Sequence, residues 1–178
     1  MTVYLASPLG FAESTRGYLE ELVQTLEKAG HSVFNPWSRP EGRLILEADA
    51  LPDKDERLRR LVEANRLVAK ANEDGIRSSD WVLAILDGVD VDSGTASEIG
   101  FAYALRKQIW GLGSDFPSTG DNDASIVNLQ AQYWIEASGG TIIHSQEELE
   151  EVLATKAPPP FAQQEAEGLS GIATAGWK

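Results

Sequence analysis

The sequence contains no cysteine, a single methionine and only two histidines. Without cysteine there can be no disulfide, thiolate nucleophile or cysteine-ligated metal, which fits a reducing, cytoplasmic compartment. Basic residues are scarce too: 15 Lys and Arg stand against 28 Asp and Glu, a formal net charge of −13. Binding to nucleic acid draws on cations that neutralise phosphates, so no polynucleotide partner is expected. The acidic balance reads as a solubility feature. No apolar run approaches the roughly 20 residues that cross a bilayer, so no membrane partner is expected. Val3-Tyr4-Leu5-Ala6 follows neither a basic nor an apolar leader, which reads as the absence of a signal peptide. Neither His31 nor His144 has metal-like neighbours, and the acidic runs Asp49 to Glu56 and Asp121 to Asp123 lack EF-hand spacing and read as solvated loops. There is no GxGxxG and no Walker motif. No metal or other cofactor is called for.

What is present is a chain of 178 residues, 42% hydrophobic, long enough for one domain with a sizeable core. Strand-like segments at 2–6, 32–34, 81–86, 109–112 and 141–143 alternate with helix-like ones. Residues 14–29 carry Leu19, Leu22, Val23, Leu26 and Ala29 at helical spacing, with Ser14 or Thr15 to cap the start and Gly30 the end. Asn35-Pro36-Trp37 breaks the second strand, and residues 38–52 read as a long loop. Residues 53–79 predict a long helix whose inward stripe is Leu58, Leu61, Val62, Asn65, Val68, Ala69, Asn72 and Ile76. Asn65 or Asn72 on that stripe needs a polar partner, either a pocket or neighbouring backbone. Further helices are expected near 95–106 and 125–138, a polar loop at 113–123, and a last helix opened by the capping-box pattern Ser145-Gln146-Glu147-Glu148. This alternation implies an α/β domain, a parallel sheet with helices on both faces. The domain is placed at residues 1–156. Residues 157–178, beginning Ala157-Pro158-Pro159-Pro160, read as a tail outside the core.

The stretch Asp92-Ser93-Gly94-Thr95-Ala96-Ser97-Glu98-Ile99-Gly100 follows the buried third strand. In open α/β sheets, ligands sit beyond the carboxyl ends of strands. Two readings compete for it. Thr95-Ala96-Ser97-Glu98 fits a capping box. Alternatively, Glu98, held ionised by the helix dipole, is a nucleophile of the kind used in sugar transfer, with Asp92 facing the same ligand. Tyr4, on the first strand, can approach Glu98 in a doubly wound sheet; otherwise it is ordinary β packing. Of the five tryptophans, Trp37 is best placed to stack on a planar ligand.

Taken together, Tyr4-Leu5-Ala6-Ser7-Pro8, the block Asn72 to Asp80, Asp92 to Gly100 followed by Ala102, and Val127-Asn128-Leu129 resemble the nucleoside 2-deoxyribosyltransferase family over roughly residues 2–153. The resemblance implies a doubly wound, flavodoxin-like five-stranded parallel sheet and a homo-oligomer built from dimers. It implies a double displacement on small nucleosides and free nucleobases. Glu98 would attack the anomeric carbon and Tyr4 would orient it. Asp92 would bind sugar hydroxyls, and Asn128 would come from the neighbouring subunit, so that active sites are shared. Phe11 and Trp37 would line the base pocket; independently of the resemblance, Gly94 and Gly100 reduce side-chain bulk around the carboxylate. Asn72 stands where the family often has an aspartate that handles the proton of the leaving base. An amide can hydrogen-bond a base but cannot act as a general acid. Two alternatives are an N-glycosidase that hydrolyses nucleosides or nucleoside monophosphates, and a non-catalytic nucleoside-binding module. Relatives that act on monophosphates place serines near the phosphate, whereas an Asp92 carboxylate there would repel it.

Overall fold

The computed structural model describes residues 1–115 and 120–155. Five parallel strands form one sheet in the order β2-β1-β3-β4-β5: β1 (Thr2–Ala6), β2 (Ser32–Phe34), β3 (Trp81–Ile85), β4 (Gln108–Leu112) and β5 (Ile142–Ile143). Six helices connect or follow them: α1 (Glu13–Lys28), α2 (Glu41–Asp49), α3 (Lys54–Ser78), α4 (Ser93–Ala104), α5 (Leu129–Ala137) and α6 (Gln146–Thr155). This is the flavodoxin-like strand order, with the topological switch point between β1 and β3. The expected tail lies outside the described residues, as do residues 116–119 of the polar loop.

Strand periodicity sorts the core into two layers. Val3, Leu5, Trp81, Leu83 and Ile85 pack with Leu19, Leu22 and Leu26 of α1 and Leu149 of α6. Tyr4, Ala6, Val82 and Ala84 point to the opposite layer, with Ile76 of α3, Ile99 and Ala102 of α4, and Ala131 and Ile135 of α5. The strands are thus buried on both faces, which is why they read as continuous apolar runs. The same alternation decides that Tyr4 faces α4.

Several local expectations are corrected. Residues 38–52 are not a loop: a 3-10 turn at Pro36–Ser38 is followed by α2. Pro40 and Gly42 look like breakers, but proline is tolerated where a helix begins, and Pro40 occupies the N-cap. The acidic run Asp49 to Glu56 is accordingly the end of α2, the cap of α3 and its first turn; Asp53 accepts a hydrogen bond from Glu56 N. On α3 the buried side is rotated from the expected stripe. Ala64, Gly75 and Ile76 are buried, while Leu58, Val62 and Asn65 are exposed and Asn72 is half-buried. The helix is apolar over more than one face, and α2 packs against only part of it. Neither Ser14 nor Thr15 caps α1; its N-cap is Ala12, and the Thr15 hydroxyl turns back to the carbonyls of Leu9 and Ala12. Gly30 does end α1, in the left-handed region at φ 87°. Helix α5 starts at Leu129, later than expected, because Asn128 caps it.

Candidate active site

The central geometry is one hydrogen bond. The Tyr4 hydroxyl donates to Glu98 Oε1 at 2.5 Å, joining β1 to α4 across 94 residues of sequence. Tyr4 is fully buried, and its ring stacks on Phe34 at 5.4 Å between centroids. Phe34 is in register with Tyr4 on the neighbouring strand and covers Gly75 of α3 so closely that a Cβ there would lie 2.5 Å from the ring. The Arg39 guanidinium sits over the other part of this wall, 5.0 Å from the Phe34 centroid. Sequence reading did not single out Phe34. Its place at the carboxyl end of β2, beside Tyr4, is the signal that could have found it.

The N-terminus of α4 decides between the two readings of the Asp92 segment. Asp92, not Thr95, is the N-cap: its Oδ2 accepts from Thr95 N at 3.0 Å. The capping box is therefore absent, and Glu98 is released from any capping duty. Glu98 also stands in the second turn rather than the first, so the macrodipole has less hold on it. Its surroundings weigh more on its charge than the dipole does. Burial pushes the Glu98 carboxyl up to about 7, the Tyr4 hydrogen bond pulls it back, and the nearby Asp92 charge raises it. Burial and the Glu98 charge in turn push the Tyr4 phenol upward, so it remains a donor throughout the neutral range. Gly94 lies against the cap; a Cβ there would be 2.9 Å from Asp92 Oδ2.

A second group lies on the loops after β1 and β2. Asn35 Oδ1 accepts from Trp37 N at 3.0 Å, and Trp37 Nε1 donates to Ser7 O at 2.7 Å, pinning the indole across the carboxyl edge of β1. Gly10 is required beneath it, since a Cβ would fall 2.0 Å from the indole. Phe11 meets Trp37 edge-on at 4.5 Å and is 73% exposed, against 40% for Trp37. Two aromatic faces are thus presented to solvent beside the switch point. Asn72 is half-buried on α3, one turn before Gly75. Asn128 caps α5, with Oδ1 accepting from Gln130 N and Ala131 N; the Nδ2 amide is what it can offer a ligand.

The histidines serve elsewhere. His31 meets Trp81 edge-on, with burial lowering its pKa, and His144 donates its backbone N–H to Glu148. Among the described residues no cluster of His, Asp and Glu could hold a metal ion, and no helix is long and apolar enough to cross a membrane.

A flavodoxin-like sheet with a half-buried, tyrosine-bound glutamate and exposed aromatics at its carboxyl edge defines the class: a doubly wound α/β protein. The chain belongs to the nucleoside 2-deoxyribosyltransferase family, whose profile matches residues 3–149. That family consists of nucleoside-processing enzymes acting on small nucleosides and nucleobases. Among solved structures the chain is similar to a 2-deoxyribosyltransferase from Bacillus psychrosaccharolyticus, at 24% identity and a TM-score of 0.59, over 84% of this chain and 90% of that one. A conserved protein from Enterococcus faecalis V583 is 25% identical with a TM-score of 0.62, over 86% and 97%. A CMP N-glycosidase from Clostridium botulinum is 21% identical with a TM-score of 0.54, again over 86% and 97%. Among curated proteins no sequence match was found.

Proposed function

We propose that the protein transfers the 2-deoxyribosyl group between nucleobases through a covalent ester on Glu98. The observation that carries this reading is the 2.5 Å bond from Tyr4 to Glu98 at the topological switch point. That bond favours the carboxylate and fixes which oxygen is occupied, leaving the other to attack. In the first half-reaction an oxygen of ionised Glu98 bonds to the anomeric carbon. The bond from that carbon to the base nitrogen breaks, and the base leaves with the electron pair and takes up a proton. In the second, a nitrogen of the incoming base attacks the same carbon, loses its proton and regenerates the carboxylate. Two inversions give net retention. Asp92 meets the sugar hydroxyls and, as a charge, disfavours a phosphorylated substrate. Trp37 and Phe11 offer stacking faces for the base. Asn72 hydrogen-bonds the base without supplying a proton.

Asn128 acts on the site of a neighbouring subunit, in a cytoplasmic homo-oligomer built from dimers. Supporting this, apolar Ile126, Leu129 and Tyr133 flank Asn128 with 40%, 52% and 56% of their surface exposed. Leu46, Leu58, Val62 and Leu67 are similarly bare along α2 and α3. Exposed large apolar side chains grouped on two elements favour association.

The test is to incubate purified protein with deoxyinosine and adenine and to separate the products. Deoxyadenosine is the expected product, and Glu98→Ala is expected to lose nearly all of it while remaining folded. Hypoxanthine with free deoxyribose would instead make the protein an N-glycosidase. Binding without either product would make it a nucleoside-binding module.

A further inference from the structure

The loop that carries Asp92 is tied down at its other end by a reciprocal clamp. Asp87, just past β3, accepts through Oδ1 from Ser114 N at 2.5 Å and Asp115 N at 3.0 Å, and through Oδ2 from the Ser114 hydroxyl at 3.0 Å. Asp115 answers by accepting from Gly88 N at 2.7 Å. Gly88 holds φ 127°, a left-handed value that suits glycine and turns the chain. Between the clamp and Asp92 the chain passes through Val89, 92% exposed, and then Val91, 7% exposed and part of the core. The bend is therefore anchored at both ends, by the clamp where it leaves the sheet and by Val91 where it returns to the core.

Each carboxylate accepts from backbone N–H groups of the other loop, and such charge-assisted bonds are stronger than neutral ones. Ile85 and Leu112 pair at the ends of adjacent strands, and Asp87 and Asp115 follow them, so the clamp joins the two loops that flank the carboxyl edge over β3 and β4.

We propose that Asp87 is a positioning residue for the sugar site: by bonding the loop after β4 it fixes the loop after β3 and so sets the place of Asp92. This rests on the reading of Asp92 as the group that meets the sugar. Asp87→Ala frees the bend, and the expected result is a rise in KM for the deoxynucleoside of about 5–10-fold, with kcat changed less than about twofold. Asp87→Asn keeps an acceptor for the backbone N–H groups and is expected to recover most of the loss. Asp115→Ala, which opens the clamp from the other side, is expected to raise KM in the same direction. It provides the measurement should Asp87→Ala fold poorly.

The deciding experiment is a double-mutant cycle with Asp92→Ala, read as KM and kcat separately. If Asp87 acts through Asp92, its substitution adds little once Asp92 is gone. Full additivity of the two KM effects, with Asp92→Ala itself impaired, would overturn the positioning role and leave the sugar-binding role of Asp92 standing. An unchanged KM in Asp92→Ala would remove both. Equal losses in Asp87→Asn and Asp87→Ala would also overturn the proposal, since the geometry would not be what matters.

Discussion

Glu98 combines two properties that pull against each other. A nucleophile must be ionised, yet burial holds this carboxyl at about 7. The rate of transfer is therefore expected to rise tenfold per pH unit below about 7 and to level off above it. The hydrogen bond from Tyr4 favours the ionised form. Tyr4→Phe keeps the ring and its stacking on Phe34 but removes that donor. It is expected to lower kcat/KM at neutral pH by roughly 10–100-fold, the worth of a hydrogen bond to a charged group, and to move the acid limb of the pH profile upward. A profile with the same midpoint in both proteins would exclude Tyr4 as the orienting group. The same residue also links stability to pH. The folded-state value lies above the ordinary 4.5, so the folded protein holds the proton more tightly than the unfolded chain does. That contribution is fully present below about 4.5 and is lost as pH rises through about 7. Glu98→Gln is neutral at every pH. It is expected to melt roughly 2–8 °C above the native protein at pH 8 and level with it near pH 4, in thermal denaturation followed by circular dichroism.

At the scale of elements, what was legible in the sequence depended on how many forces agreed. The strands announced themselves because both faces are buried, so Val82-Leu83-Ala84-Ile85 carries no polar interruption. The switch point followed from the alternation of strands and helices, and with it the meeting of Tyr4 and Glu98. Helix ends were legible where a side chain has one available partner: Ser145 does cap α6 through Glu148 N, although Glu148 reaches back to His144 N rather than to Ser145. They were obscure where several candidates compete. Around α4, Asp92 and Thr95 both suit a cap, and the helix starts at Ser93, which makes Asp92 the cap. Helix α2 was missed because Pro40 and Gly42 sit in its first turns, where they do little harm. The rotated face of α3 has a different origin. Leu58, Val62 and Leu67 give the helix more apolar surface than the rest of the chain covers, so periodicity alone could not say which side is inward. The Asp87 clamp was invisible for a further reason: its partners lie 27 and 28 residues away and are mostly backbone.

For the whole molecule, the exposed apolar surface beside Asn128 bears on how many subunits make a site. Asn128 spends its Oδ1 on the α5 cap, and its apolar neighbours Leu129 and Tyr133 are exposed. If Asn128 serves the site of an adjoining subunit, each site contains Glu98 from one chain and Asn128 from another. Glu98→Ala and Asn128→Ala are then each expected to be strongly impaired as pure proteins. Co-expressed in equal amounts, they would assemble at random, and half of the dimers would be mixed. Each mixed dimer would contain one site with both native residues and one with neither, restoring about a quarter of native activity per subunit. A self-contained site predicts no gain over the sum of the two variants, because every chain then carries one defect in its own site. Size exclusion of the co-expressed material, run beside the activity assay, ties any recovered activity to the oligomer. Recovery confined to a monomer fraction would defeat the shared-site arrangement, as would full activity in pure Asn128→Ala.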